Sequence, residues 1–361
     1  MPHTMRMPRI RKTSKFTKLC ALTLALVSIF YLRARTRHVL GAFGRSHVSQ
    51  HIPVEGALHM CGYNFAAFAD AVFPERSRVS WISGKTRASA TDILLASLPC
   101  DSDVVSSYPG VVLFVDGENG RAKQYQHERL FYAGVQTPPC KVRGNIQLFH
   151  VAHTTLMHRY SAVDFLQPVR RSSLAPKFLA YLNSNCVKYR ETAFDKIVEF
   201  ANRLGLPKPT ALGACHGSHP ELSEFDDDRV GRIANVVDKL SLYRFALVME
   251  NSKVRGYVTE KIANALIAGT VPIYYGTEEI SDIFNAKRFI YYDIRDPSAA
   301  LRRIQLLERD RAAFFNVLQE PVLAHEEQTL RKYFSLTDDV GHGDLKRRIR
   351  HMIGMNQQKK Q

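Results

Sequence analysis

The stretch that most constrains this chain spans residues 243–276 and reads YRFALVMENSKVRGYVTEKIANALIAGTVPIYYG. Two apolar runs, at 243–250 and 270–276, flank a polar loop and a short helix that we predict at about 259–268. Apolar runs that do not alternate with polar residues are typical of strands buried on both faces of a parallel sheet. In an open parallel sheet, ligands bind beyond the carboxyl ends of the strands, and the polar residues 250–261 begin at that point. The pattern therefore predicts a ligand site at this strand–helix junction.

Strands and helices alternate through the second half of the chain, whereas the first half is less regular. Beyond the opening stretch, the clearest elements are strands at 111–115, 146–152 and 177–183, a helix at 190–205 and a long helix from Pro297 to about Gln319. Such alternation favours an α/β fold whose parallel strands are covered on both faces. We expect a GT-B-like arrangement of two Rossmann-like domains with mostly parallel sheets facing a cleft, at residues 56–172 and 173–335.

The formal charge of +16 is concentrated at the two ends of the chain. Residues 1–54 hold ten Lys and Arg residues and no acid, and residues 341–361 carry a net charge of +5. The body between them is nearly neutral. Binding driven by phosphates needs a basic footprint on the folded surface, so we expect no nucleic-acid partner. Residues 336–361 are interpreted as a basic C-terminal tail.

An uncharged run, LCALTLALVSIFYL at residues 19–32, follows six basic residues near the N-terminus. It is shorter than the roughly 17–25 apolar residues that usually span a bilayer. Its continuity and the basic residues before it favour a transmembrane signal anchor, with residues 1–18 as a cytoplasmic tail and 33–55 as a stem. The alternative is a mitochondrial presequence, because the segment is rich in Arg and free of acids.

Polar residues at the strand–helix junction form a candidate anion site. Thr259 suits the N-cap of the helix, and free backbone amides at such an end attract phosphate. Lys261 can neutralise a diphosphate, whereas Glu260 beside it suits a sugar hydroxyl. Glu250 and Asn251, at the end of the strand, could serve the same ligand. The alternative is that Thr259 and Glu260 only cap the helix and that Lys261 is solvated.

The same stretch resembles the donor-binding signature of the α1,3/4-fucosyltransferases, glycosyltransferase family 10. That signature has a strand ending in F-E-N-S, a helix start Y-[IV]-T-E-K and then A-G-x-V-P, and this chain departs from it with Met249 in place of Phe. The SNC element at 184–186, Arg190 and the GACH element at 213–216 resemble the plant-like branch of the family. The resemblance covers roughly residues 177–293. It implies two Rossmann-like domains in the GT-B arrangement and an inverting glycosyltransferase that uses GDP-β-L-fucose.

The resemblance also implies which residues bind the donor. The positions that carry over are Arg190, Glu250, Asn251, Tyr257, Thr259, Glu260 and Lys261. Arg190 and Lys261 should hold the diphosphate, because cations stabilise the charge that develops on departing GDP. This arrangement makes a metal unnecessary, so we expect no essential cofactor and at most a stimulatory effect of Mn²⁺.

An inverting transfer also needs a base that takes the proton of the acceptor hydroxyl. The loop D-G-E-N-G after strand 111–115 resembles the family's loop that carries this base, which makes Glu118 the candidate and Asp116 the alternative. Relatives can carry a second Glu where this chain has Gly120. That departure leaves open an inactive relative that binds glycan or nucleotide without transfer.

The chain offers little for a metal site. D-x-D patterns at Asp101–Asp103 and Asp226–Asp228 suit loops or helix starts, and the six cysteines form no CxxC pair. In an oxidising lumen one or two disulfides are expected, with at least one thiol left over.

Together these observations predict a fucosyltransferase anchored in the Golgi membrane as a single-pass type II protein. Its N-terminal domain would bind a glycan or glycoprotein acceptor in the lumen, and the linkage would be α1,3 to GlcNAc. The alternatives are a related enzyme with another sugar donor, a non-catalytic binding protein and a mitochondrial location.

Overall fold

The computed structural model describes residues 52–76, 79–84, 86–118, 125–138, 140–158, 160–167, 171–224 and 236–355. The predicted cytoplasmic tail, the predicted anchor and nearly all of the predicted stem lie outside these residues. Within the described part of the chain, no helix combines the length and apolarity needed to cross a membrane.

The N-terminal half is built on a six-stranded sheet. Its strands are β1 (Leu58–Cys61), β2 (Val79–Trp81), β3 (Ile93–Ala96), β4 (Val111–Asp116), β5 (Leu130–Gly134) and β6 (Gly144–Gln147). They lie in the order β2-β1-β3-β4-β5-β6, and all the pairings are parallel. The helices of this half are α1 (Ala66–Val72), α2 (Ser102–Ser107), α3 (His150–His158) and α4 (Ala162–Leu166).

The C-terminal half contains a five-stranded parallel sheet in the order β11-β10-β9-β7-β8. Its strands are β7 (Lys177–Tyr181), β8 (Thr210–Ala211), β9 (Tyr243–Met249), β10 (Val271–Tyr275) and β11 (Ile290–Tyr291). The helices are α5 (Lys188–Leu204), α6 (Val236–Ser241), α7 (Glu260–Ile267), α8 (Ile280–Ile283), α9 (Ser298–Arg309), α10 (Arg311–Gln319), α11 (Glu326–Tyr333) and α12 (Asp344–Met352). Two parallel α/β sheets confirm the predicted fold class.

The central strand β9 is buried on both faces along its whole length, and Arg244 is its one charged residue. Phe245 and Leu247 face one core, which is shared with α5, α9 and α10. Ala246 and Val248 face the other, which is shared with α7 and extends to the N-terminal half. Each large apolar side chain buried this way contributes about 1.5–3 kcal/mol of transfer free energy. This two-sided burial fixes where β9 ends and the polar loop begins.

Two predicted elements differ from the structure. The run predicted as one strand at 146–152 is the end of β6 followed by the start of α3, where Phe149 and Ala152 are buried at helical spacing. The helix predicted from Pro297 to about Gln319 is broken at Asp310. The Asp310 carboxylate accepts a hydrogen bond from the amide of Ala313 at 2.9 Å and so starts a second helix.

The interpretation of residues 336–361 as a basic tail was wrong for the part that is described. Helix α12 buries Leu345 and Ile349 in the core, and two of its basic residues, Lys346 and Arg350, are buried as well. Arg350 Nη1 contacts the Glu75 carboxylate at 2.9 Å, just after helix α1. The Gly354 carbonyl accepts a hydrogen bond from the amide of Ile52 at 3.1 Å. The run of basic residues was interpreted as a tail, but it belongs to an amphipathic helix. This helix packs against the N-terminal half.

Two disulfides fix the loops that follow strands. Cys61 is bonded to Cys100, joining the ends of β1 and β3, and Cys186 is bonded to Cys215, joining the segments after β7 and β8. Cys140 is a free thiol. The expected one or two disulfides are therefore confirmed.

Candidate active site

The junction between β9 and α7 is organised by a buried carboxylate. Glu250 is fully buried, and it accepts hydrogen bonds from the amide of Thr259 at 2.8 Å and from its hydroxyl at 2.7 Å. Thr259 occupies the N-cap position, but its hydroxyl donates to Glu250 and does not cap the helix amides. Burial raises the pKa of Glu250, and the nearby charge of Lys261 opposes that rise. Glu250 therefore fixes the start of α7 through its two hydrogen bonds to Thr259.

Lys261 lies between two carboxylates at the start of α7. Its ammonium is 3.4 Å from Glu260 Oε1 and 3.9 Å from Glu250 Oε2, and it donates to the Thr259 hydroxyl at 3.0 Å. Burial by itself would raise the pKa of Glu260, but the charges of Lys261 and His150 lower it overall. Glu260 is thus ionised at neutral pH, and it forms an ion pair with Lys261.

A cavity of about 310 Å³ opens at the carboxyl edge of the C-terminal sheet. Four of the predicted donor-binding residues line it: Arg190, Asn251, Glu260 and Lys261. The Arg190 guanidinium is only 1% exposed and donates to the carbonyls of Met249 and Asn185, and its Nε has no partner. Its hydrogen-bond partners are neutral carbonyls, so the charge of this buried cation is not neutralised. Binding of an anion in the adjoining cavity is therefore favoured.

Sequence reasoning missed several residues that line the same cavity. Ser184 and Asn185 follow β7, and their place at the carboxyl edge of a strand was a signal that could have found them. Lys239 on α6 and Asn264 on α7 gave no comparable signal, because the face that each helix turns to the cavity depends on tertiary packing. Asn183 also lines the cavity, and its buried amide nitrogen has no partner. These groups add a third cation, Lys239, and several amides to the site.

Three predicted donor-binding residues do not line this cavity. Glu250 and Thr259 lie behind its wall, and Tyr257 is 2% exposed with its ring directed toward the N-terminal half. The Tyr257 hydroxyl donates to Glu118 Oε2 at 3.1 Å. Burial raises the pKa of Tyr257, which keeps the hydroxyl protonated as a donor.

A second cavity of about 280 Å³ lies at the carboxyl edge of the N-terminal sheet. It is lined by Tyr63, Asn64, Phe65, Ser97, Leu98, Val115, Asp116, Gly117, Glu118, His150, His153 and Thr154. Asp116 accepts hydrogen bonds from Tyr132 at 3.0 Å and from the Glu118 amide at 3.1 Å, and burial raises its pKa. Glu118 is less buried than Asp116, so of the two candidate bases it is the more accessible to an acceptor hydroxyl.

His150, at the start of α3, faces both halves of the site. Its ring is nearly parallel to that of Tyr257, with centroids 6.3 Å apart. Its Nδ1 lies 3.8 Å from Glu260 Oε2, and that nitrogen is buried without a hydrogen bond. Burial lowers the pKa of His150, while Glu260 and Glu118 act against this. One turn further on, burial lowers the pKa of His153 to about 4.

The loop that carries Tyr257 belongs to the C-terminal half and is in close contact with the N-terminal half at two points. The carbonyl of Val258 accepts a hydrogen bond from the amide of Val151 on α3 at 2.8 Å. Gly256 has a φ of +81°, and a Cβ there would lie 1.7 Å from the carbonyl oxygen of Val135. Only glycine allows this approach of the loop to the end of β5.

The patterns considered for a metal have other roles where they are described. Asp101 caps helix α2 by accepting a hydrogen bond from the amide of Asp103 at 3.1 Å. Among the described residues, one group of metal-type ligands comes together, namely Cys186, Glu191 and Cys215, and both of its sulfurs are in a disulfide. The pattern at Asp226–Asp228 lies outside the described residues.

Comparison with known proteins finds a family match for part of the C-terminal half. Residues 176–319 match the family model for the C-terminal domain of glycosyltransferase family 10 (fucosyltransferase), which confirms the resemblance predicted for this part of the chain. The chain is 36% identical over 89 residues to an α-(1,3)-fucosyltransferase of Helicobacter pylori, covering 24% of this chain and 19% of that protein. It is 49% identical over 43 residues to an α-(1,4)-fucosyltransferase of Arabidopsis thaliana, covering 12% of this chain and 11% of that protein.

A longer match is to a GDP-fucose protein O-fucosyltransferase 3 of Bos taurus, 30% identical over 148 residues, covering 39% of this chain and 28% of that protein. The matched segments thus span 11–28% of the length of these relatives. In fold, the chain is similar to a crystal structure of an α1,3-fucosyltransferase, with a TM-score of 0.54 at 17% identity over 78% of this chain and 85% of that one. The same comparison with a GDP-fucose complex gives a TM-score of 0.52 at 16% identity over 77% and 85%.

Proposed function

Because residues 176–319 match the C-terminal domain of glycosyltransferase family 10, we propose that this protein is a fucosyltransferase that takes L-fucose from GDP-β-L-fucose. The observation that carries the proposal is that Arg190, Asn251, Glu260 and Lys261 line one cavity within the matched domain. The sequence predicts all four as donor-binding residues, and they come from three segments: α5, the loop after β9 and the start of α7.

The two cations would bind the diphosphate of the donor. Arg190 is held rigidly by backbone carbonyls, whereas Lys261 has neighbours that a phosphate can replace. Together with the amides at the start of α7, they would stabilise the charge that develops on GDP as the glycosidic bond breaks. In this proposal no metal is essential, and a divalent cation such as Mn²⁺ has at most a stimulatory role.

The acceptor would bind in the N-terminal cavity, with Glu118 as the base that takes the proton of its hydroxyl. An attack on the fucose carbon from the side opposite to GDP inverts its configuration and gives an α-linkage. We propose a glycoprotein glycan as the acceptor and an α1,3 linkage to GlcNAc. The relatives carry names that specify α1,3 linkage, α1,4 linkage and protein O-fucosylation, so the acceptor is the part of the proposal that most needs a direct test.

We also propose that the catalytic body lies in the Golgi lumen, held by the N-terminal anchor. The two disulfides support this, because disulfides persist mainly in oxidising compartments. A tagged full-length chain should co-migrate with Golgi membranes and have its C-terminus protected from added protease. Co-migration with mitochondria would favour the presequence alternative.

The decisive experiment incubates the purified full-length chain in detergent with an acceptor array and a panel of sugar nucleotides. GDP-fucose should release GDP in the presence of an acceptor and transfer fucose to it. Release no faster than background would contradict the proposal. Turnover of another sugar nucleotide would indicate a different donor, and binding of GDP-fucose without turnover would indicate the non-catalytic relative.

A further inference from the structure

The buried Nδ1 of His150 is an unsatisfied polar atom beside Glu260, which lines the donor cavity, while His150 itself lines the N-terminal cavity. It lies 3.8 Å from Glu260 Oε2, which is beyond hydrogen-bond distance, and it has no hydrogen-bond partner. The ring is held in place on one side by Tyr257 and on another by Gly117, whose added Cβ would lie 2.9 Å from His150 Cδ2. A fixed imidazole that faces a carboxylate without bonding to it can gain a proton and close the gap.

Two carboxylates and one ammonium surround His150, and the ammonium is paired with one of the carboxylates. Helix α7 presents Glu260 and Lys261, which contact each other at 3.4 Å. The loop after β4 presents Glu118, which accepts the hydrogen bond of Tyr257. On α3 itself the nearest titratable group is His153, and α1 packs the rings of Phe65 and Phe68 against that residue.

A diphosphate would change this arrangement by competing with Glu260 for Lys261. Phosphate oxygens would draw the Lys261 ammonium away from Glu260, because the ammonium lines the cavity that the diphosphate would enter. Glu260 would then be a buried carboxylate next to further negative charge. Since Glu118 adds a second carboxylate nearby, a proton on His150 becomes much more favourable.

We propose that binding of a nucleoside diphosphate sugar is coupled to the uptake of one proton by His150, which then forms an ion pair with Glu260. This inference rests on the proposed function, since it assumes that the cavity takes such a donor. The proton comes from solvent and adds to Nδ1, so that both ring nitrogens carry hydrogen. Glu260 Oε2 is then bound to His150, and Oε1, released by Lys261, faces the donor. His150 is a positioning residue in this scheme, because it acts through Glu260.

Burial is the main reason that the pKa of His150 is lowered, and Lys261 lowers it further. Both the loss of the Lys261 contact and the arrival of phosphate act in the opposite direction. The geometry and the surrounding charges therefore predict uptake, and not release, near neutral pH.

The test is calorimetric titration of the full-length chain with GDP-fucose, without acceptor, at pH 7.5 in buffers of different ionisation enthalpy. Both phosphates of GDP-fucose are diesters, so the ligand itself does not titrate near neutrality. The slope of observed enthalpy against buffer ionisation enthalpy should report uptake of roughly half a proton or more. His150→Gln should reduce the uptake to near zero and weaken binding several-fold, whereas His153→Gln should leave the uptake unchanged.

The outcomes separate this inference from the proposed function. Binding by wild type with no proton uptake would overturn the role of His150 and leave the donor assignment intact. Uptake that persists in His150→Gln would equally overturn it. If wild type binds neither GDP-fucose nor GDP, the proposed function fails and this inference fails with it. If the His150 variant does not fold, the wild-type slope still tests the inference, because binding without proton uptake would overturn it.

Discussion

The hydroxyl of Tyr257 donates a hydrogen bond to Glu118 Oε2 at 3.1 Å, and this bond joins the loop before α7 to the loop after β4. The two residues come from different halves of the chain and are 139 positions apart. The bond therefore ties the candidate base directly to the segment that leads into the donor cavity. Disrupting this bond therefore tests whether activation of the acceptor depends on the segment next to the donor cavity.

Tyr257→Phe should slow transfer with little change in donor affinity. The variant removes a hydrogen bond to a charged group, worth about 1.5–3 kcal/mol, but keeps the ring beside His150. We expect kcat to fall roughly tenfold to a hundredfold, because Glu118 is no longer held in one orientation. Steady-state kinetics would check this, with GDP-fucose affinity as the internal control. An equal loss of donor affinity and no loss of kcat would contradict the positioning role.

Glu118→Gln should remove transfer while donor binding persists. The amide keeps the shape of the side chain and can still accept the Tyr257 hydrogen bond, but it cannot take a proton. A missing general base lowers kcat by roughly a hundredfold or more. Calorimetry should find GDP-fucose affinity close to wild type. If Asp116 were the base, Glu118→Gln would remain active and Asp116→Asn would lose transfer.

Lys261→Ala should weaken donor binding because it removes a cation from the cavity. Loss of one charged hydrogen bond to phosphate corresponds to a roughly tenfold to hundredfold increase in Kd. Lys253→Ala is a matched control, since Lys253 is exposed and paired with Glu278 at 2.8 Å outside the cavity. Equal GDP-fucose affinity of the Lys261 variant and wild type would contradict the assignment of Lys261 to the diphosphate.

Much of this site could be predicted from sequence because parallel sheets place strand ends at one edge. Arg190 and Lys261 were selected on their motifs, and the structure brings both to one cavity. Lys239 and Asn264 could not be predicted, because the rotation of a helix about its axis is set by packing against neighbours. His150 was hidden for another reason, since the apolar run around it reads equally well as a strand or as a buried helix start.

The stability of the protein should fall in mild acid, and His153 should account for part of the loss. Its pKa is lowered to about 4 by burial between aromatic rings, so the folded state holds it neutral while the unfolded chain protonates near 6.5. Its contribution is fully present above pH 6.5 and is lost as pH falls from 6.5 toward 4. Between pH 7 and pH 5 this costs about 2 kcal/mol of unfolding free energy.

Urea unfolding of wild type and His153→Phe at the two pH values would measure that contribution. The Phe variant cannot bind a proton, so it should lose about 2 kcal/mol less than wild type over the same interval. An identical pH dependence in both proteins would show that His153 is not held neutral in the fold.

Gly256→Ala should destabilise the protein more than a change at an ordinary left-handed glycine. Gly205 is the matched control: its φ of +63° is also positive, but a Cβ there would meet nothing within 4 Å. Gly205→Ala should cost about 1–2 kcal/mol of unfolding free energy, from the backbone conformation alone. At Gly256 the added Cβ also collides with the carbonyl oxygen of Val135, so the total should reach about 3 kcal/mol or more. Denaturant unfolding of both variants gives the comparison, and equal losses would mean that the loop can move away from β5 at no cost.

Because the same loop carries Tyr257, Gly256→Ala should also lower kcat under conditions where it remains folded, whereas Gly205→Ala should not.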